Sequence, residues 1–147
     1  MPATHPRCVV QNGPEAIVEA FYAAWILRDL EAVLAYLSDD FRLSQHFSDP
    51  MLPFTGETVG KAAAGARLKM ILDEWQFLKF EPTLTVSDGT SVRTTCAIAL
   101  KHLQTGEIFE GTFRHVWEVR DGKLASVDEY LDVDRLRSFL RLLGLPV

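Results

Sequence analysis

The chain has 147 residues, 48% of them apolar and 24% charged, with a formal net charge of −5 and a sequence pI near 5.3. That length suits one domain burying about 70% of the surface its unfolded chain exposes. The acidic balance argues against an electrostatic footprint for nucleic-acid phosphates or anionic membranes, and the densest basic stretch, Arg135 to Arg141, is interleaved with Leu and Phe.

Two cysteines are present, Cys8 in a tail and Cys96 in a strand-like run, so no disulfide framework is expected and a reducing cytoplasm suits both thiols. The start MPATHPRCVV lacks the charged end and apolar core of a secretory signal. No apolar run approaches the length of a membrane span. A cytoplasmic protein is expected.

Residues 1–13 have no clear period and read as a flexible arm, followed by a single domain over 14–147. Asn12 or Gly13 caps a first helix, with Pro14 at its first position and Glu15 against the helix dipole. Ile17, Phe21, Ala24 and Trp25 form its apolar face. Asp29 caps a shorter helix through Leu37, closed by Ser38-Asp39-Asp40. Residues 41–47 alternate as a half-buried strand, with Phe41, Leu43, Gln45 and Phe47 on one side. Pro50, Pro53 and Gly56 mark a loop over 48–57. Thr58 then caps a third helix reaching to about Trp75, with Val59, Ala62, Ala66 and Met70 among its apolar positions.

A meander of strands follows. Phe80, Leu84 and Val86 share one parity, and Val92, Thr94, Cys96, Ile98 and Leu100 form the next apolar face. Phe109, Gly111, Phe113, His115, Trp117 and Val119 form a third. Arg120-Asp121-Gly122-Lys123 is a hairpin turn into a last strand ending near Leu131. Asp132 caps a short helix carrying Leu136, Phe139, Leu140 and Leu143. Helices first and hairpins after indicate an α+β fold, with the helices on one face of an antiparallel sheet.

Gly56-Glu57-Thr58-Val59-Gly60-Lys61-Ala62 is one residue short of a phosphate loop and lacks the Ser or Thr after its lysine. There is no GxSxG, GxGxxG or HExxH motif, and the four histidines and two cysteines show no ligand spacing. Neither a metal nor a cofactor is expected.

Two helices, a strand, a third helix and a meander ending HVWEVRDGKL and EYLD resemble the nuclear transport factor 2-like superfamily over residues 14–143. Within it the chain is similar to the SnoaL-like and ketosteroid-isomerase-related branch. The resemblance implies a cone-shaped, curved antiparallel sheet packed on three helices of the N-terminal half, with a short C-terminal helix. It further implies a deep pocket for a small apolar ligand or substrate, and a homodimer. Where the isomerases of this superfamily hold a carboxylate base, this chain has Gln45. Their helix tyrosine falls at Phe21, with Tyr22 one residue away. The Arg and Asp of the epoxide-hydrolase branch fall at Cys96 and Ile98, so the best-known chemistries of the superfamily lack their residues here.

What remains is His115, on the apolar side of its strand between Phe113 and Trp117, where the resemblance implies an oxyanion-hole acid. An imidazole there either moves a proton near neutral pH or is a core side chain satisfied by a neighbour. Its partner depends on the hairpin. A two-residue loop puts Asp128 opposite it, whereas a three-residue loop with a bulge at Gly122 puts Val127 opposite and Glu129 diagonal. Alternation favours Glu129 inward, with Asp128 the alternative. Tyr22, Trp25, Phe47, Trp75, Cys96, Ile98, Phe113 and Trp117 are candidate walls. Two functions are therefore carried forward. One is an isomerase, cyclase or dehydratase using His115 and Glu129 on a small oxygenated substrate oriented by Gln45. The other is a non-catalytic binding or dimerisation domain.

Overall fold

The computed structural model describes residues 13–46 and 56–144. Phe47, Cys8 and, apart from Gly13, the arm over 1–13 lie outside the described residues. Helix α1 spans Pro14–Ile26 from a Gly13 cap, with Pro14 in the first turn, where a missing N–H costs nothing. It buries Val18, Phe21, Tyr22, Ala24 and Trp25. Arg28 then adopts a left-handed φ of 60°, an uncommon conformation for a side chain of this size. Its guanidinium holds the conformation by donating to the carbonyls of Leu72 and Trp75 and lying 5.2 Å from the centre of the Phe77 ring.

Helix α2 covers Leu30–Ala35, capped by the Asp29 carboxylate on the Ala32 N–H at 3.1 Å. It ends two residues earlier than the sequence pattern suggests. Leu37 already belongs to strand β1, Leu37–Gln45, and Ser38-Asp39-Asp40 runs on as strand. The chain is pulled out of the helix by strand β6 (Lys123–Tyr130): Leu124 N–H donates to Tyr36 and the Lys123 ammonium to Ala35.

Thr58 caps nothing. Residues 56–59 form a short strand, β2, paired with β1 (Thr58 opposite Leu43), and Gly60 is the cap of helix α3, Lys61–Glu74. Gly60 has a φ of 98°, which a side chain rarely adopts. The inward face of α3 is Ala64, Gly65, Leu68 and Leu72, so Val59, Ala62 and Ala66 point outward and Trp75 opens the next strand.

Strands β3 (Trp75–Asp88), β4 (Ser91–His102) and β5 (Ile108–Arg120) complete the sheet with β6, in the order β2-β1-β6-β5-β4-β3. It is curved and unclosed. One pairing departs from the expected antiparallel pattern: β1 and β6 run parallel. The inward row of β4, from Val92 to Leu100, is buried as its alternation requires. On β3 an irregularity between Leu84 and Val86 flips the parity, so Val86 is exposed opposite Arg93. The last helix, α4, runs Val133–Leu142 from an Asp132 cap and buries Leu136, Phe139 and Leu140.

Candidate functional site

The β5–β6 hairpin decides which carboxylate faces inward. Asp121 and Gly122 have φ of 53° and 74°, and Arg120 pairs with Lys123, as in a two-residue turn of the primed type. A bulge follows: Val119 pairs with Leu124, but Glu118 pairs with Ser126, leaving Ala125 as an extra residue on β6. Every later pair is displaced by one, and His115 lies directly opposite Glu129. Neither register read from the sequence is therefore correct, although the inward orientation of Glu129 is. Asp128 lies on the other face, where its carboxylate meets His46 Nε2 at 2.8 Å.

The parallel β1–β6 pairing places Gln45 beside Glu129, and β4 places Thr94 beside His115. A single polar row, Gln45–Glu129–His115–Thr94, thus crosses four neighbouring strands. Helix α1 adds Tyr22 and α3 adds Arg67.

The hydrogen bonds of this row have a fixed polarity. An arginine only donates, and Arg67 Nη1 donates to Gln45 Oε1 at 3.0 Å. The amide must therefore turn its NH2 toward Glu129, and Nε2 donates to Glu129 Oε1 at 3.0 Å. The other carboxylate oxygen, Oε2, lies 2.7 Å from His115 Nε2. Donors from both sides converge on Glu129. On the far edge of the imidazole, Nδ1 is 2.6 Å from the Tyr22 hydroxyl. That hydroxyl also accepts from Trp117 Nε1 at 2.9 Å and lies 2.5 Å from Thr94 Oγ1.

Burial shapes the acidities. Burial alone would lower the His115 pKa; the Cys96 sulfur and the Glu129 carboxylate outweigh it and push it up to about 9. Glu129 is the physically stronger cause, because its oxygen is 2.7 Å from Nε2. The sulfur is 3.7 Å from an Nδ1 that the Tyr22 hydroxyl already meets. Burial raises Tyr22 above the ordinary tyrosine range, so its hydroxyl keeps its proton. Burial also lowers the Arg67 guanidinium from its usual value, yet an arginine remains a cation.

Gln45, His115 and Glu129 line a partly enclosed cavity of about 110 Å³ whose other walls are apolar, among them Phe21, Leu68, Phe80 and Val127. Of the expected walls, Tyr22, Trp25, Trp75, Phe113 and Trp117 line it. Cys96 and Ile98 are fully buried and do not, although Leu100 of the same strand does. Arg67 and the role of Thr94 were not evident from the sequence. Arg67 falls at helical spacing from Ala64 and Ile71, and that position was the available signal. Among the described residues, no group of three His, Cys, Asp or Glu side chains could hold a metal. Nor is any helix there long and apolar enough to cross a membrane.

A profile of the SnoaL-like domain matches residues 18–127, a span that takes in Gln45, Thr94 and His115 and ends before Glu129. The chain belongs to the SnoaL-like family. Solved structures agree on the fold. An NTF2-like protein from Burkholderia xenovorans LB400 is similar at 25% identity and a TM-score of 0.73, with 85% of this chain and 93% of that one covered. A protein provisionally named a polyketide cyclase, from Xanthomonas campestris pv. campestris, is 21% identical with a TM-score of 0.70, covering 86% and 96%. TerC, co-crystallised with polyporic acid, is 20% identical with a TM-score of 0.74, covering 87% and 98%. Comparison with curated protein sequences gives no significant match.

Proposed function

We propose that this SnoaL-like domain moves a proton on a small, apolar, oxygenated substrate, as an isomerase, cyclase or dehydratase does, with Glu129 as base and His115 as its acid partner. The observation that carries this reading is the 2.7 Å His115–Glu129 contact at the wall of an otherwise apolar cavity. Burying two ionisable groups is costly unless they are paired or used. The name of the provisional cyclase and the polyporic acid co-crystallised with TerC support the substrate class.

The chemistry runs as follows. A Glu129 oxygen takes a proton from a carbon next to a carbonyl. The C–H electron pair moves into the C–C bond and the charge onto the carbonyl oxygen. That oxygen accepts the remaining N–H of Gln45, since one of its two amide hydrogens already points at Glu129. Return of the proton to a second carbon is isomerisation. Attack of the enolate on another carbonyl, with the proton delivered to the new alkoxide, is ring closure.

The test is deuterium wash-in. A panel of small cyclic ketones and β-dicarbonyl compounds is incubated with the protein in D2O and followed by NMR, which detects proton transfer whatever the eventual product. Exchange that is lost in Glu129→Gln supports the reading. Bound but unexchanged compounds would instead support a non-catalytic binder, which the saturated hydrogen bonding of His115 and Glu129 also favours.

A homodimer is part of the same proposal, supported by the half-exposed Leu78, Val86, Leu103 and Ile108; light scattering that shows only monomer would exclude it. A cytoplasmic location is supported by the buried free thiol of Cys96; export of the tagged full chain would count against it. That residues 14–147 fold as one unit is supported by a core drawing on helices and strands from Val18 to Phe139; unfolding in two separate transitions would exclude it.

A further inference from the structure

The Tyr22 hydroxyl has three partners and three valences: one hydrogen to give and two lone pairs. Trp117 Nε1 can only donate, so it fixes one lone pair. One hydrogen and one lone pair remain, to be shared between Thr94 Oγ1 and His115 Nδ1. Only two arrangements satisfy both. In the first, Tyr22 donates to Nδ1, Thr94 donates to Tyr22, and His115 is neutral with its hydrogen on Nε2 facing Glu129. In the second, Nδ1 carries a hydrogen and donates to Tyr22, Tyr22 donates to Thr94, and His115 is an imidazolium.

We propose that Tyr22 and Thr94 are positioning residues whose two hydroxyls form a two-position proton switch, letting His115 gain and lose a proton inside the sheet without the ring moving. Switching requires one proton exchanged between Nδ1 and solvent and, beyond that, only that two hydroxyl hydrogens rotate. The heavy atoms stay where the α1–β4–β5 packing holds them, with Tyr22, Thr94, His115 and Trp117 all buried. As a contribution to catalysis this rests on the reading above: with Nδ1–H held by the Tyr22 oxygen, the imidazolium can give its Nε2 hydrogen to Glu129 and take it back during turnover, the ring being neutral in between. The titratable groups facing His115 are Glu129 from β6, Tyr22 from α1 and Cys96 from β4, while Arg67 of α3 reaches it only through Gln45 and Glu129.

Thr94→Val isolates the switch. The neutral arrangement survives it, because Tyr22 still donates to Nδ1 and accepts from Trp117. The charged arrangement does not, because the Tyr22 hydrogen then points at a methyl group in a buried site. In the native chain the hydrogen left over in that state belongs to Thr94, whose hydroxyl is free to rotate to suit. A phenol hydroxyl is held near its ring plane.

The experiment is an NMR titration of His115 in the full chain, assigned by its absence in His115→Gln, and it needs no substrate. Thr94→Val should lower the His115 pKa by about one unit or more, the scale of an unmet buried donor. Thr94→Ser should restore it, and Tyr22→Phe should lower it at least as far. If Thr94→Val does not fold, Thr94→Ala is read in the same way. A Thr94→Val titration matching the native one, or a Thr94→Ser titration matching Thr94→Val, overturns the proposal. Failure of deuterium wash-in would refute the catalytic reading and leave this titration unaffected, so the two can fail separately.

Discussion

The His115–Glu129 contact should make the protein lose stability as pH rises. His115 has a pKa of about 9 when folded, against an ordinary value of 6.5. Between these values the folded state binds more protons than the unfolded one, so unfolding becomes easier with increasing pH. The contribution is fully present below pH 6.5 and is lost as pH passes through about 9. Each unit is worth about 1.4 kcal/mol, so the full loss is on the order of 3 kcal/mol, a large share of a typical domain's stability. Urea denaturation at pH 6, 7.5, 9 and 10 measures it, with Glu129→Gln as the reference. The native chain should show a steeper fall with pH than Glu129→Gln, since an amide offers no charge to hold the imidazolium and leaves only the Cys96 contribution. Parallel stability curves for the two proteins would refute the assignment of the raised pKa to Glu129.

Further outcomes follow from particular contacts. Deleting Ala125 should remove the bulge yet leave Ser126 opposite Glu118 and Glu129 opposite His115, so the deuterium wash-in should persist. One residue inserted after Gly122, with the bulge kept, should instead set Asp128 opposite His115 and abolish it; NOEs pairing His115 with Asp128 in the deletion variant would contradict this. Asp128→Asn alters only the outer face, where it meets His46, and should leave the His115 titration and the wash-in rate unchanged. Asp29→Ala removes the cap of α2 and should cost about 1 kcal/mol in urea denaturation; no loss would mean that the 3.1 Å bond to Ala32 is not formed in solution.

The fold was legible where periodicity is strong. Phe21 and Trp25 on α1, the row from Val92 to Leu100 and the cap at Asp132 all follow from spacing and local chemistry. Boundaries set by distant strands were not. Tyr36 leaves its helix because Leu124, far along the chain, takes its carbonyl. Thr58 looks like a cap because nothing local reveals that β1 will recruit it. The site shows the same division. His115 and Glu129 could be nominated from alternation, but their register depends on an Ala125 bulge with no sequence signature. Arg67 and Thr94 gain meaning only from neighbours on other elements. The row Gln45–Glu129–His115–Thr94 descends and rises through the sequence in no order a local motif could encode.

Ala125 touches neither the carboxylate nor the imidazole it aligns, yet it sets the phase of the whole strand beyond it. Because strand faces alternate with period two, a residue inserted near the turn with the bulge kept exchanges an inward Glu for an inward Asp and turns the adjacent Val127 outward, whereas loss of Ala125 itself straightens the strand and keeps Glu129 inward. Chemistry on this face can thus be rewritten by length alone, with every side chain conserved. When relatives of this chain are aligned, gaps in the hairpin after Gly122 carry as much functional information as substitutions at the residues that line the cavity.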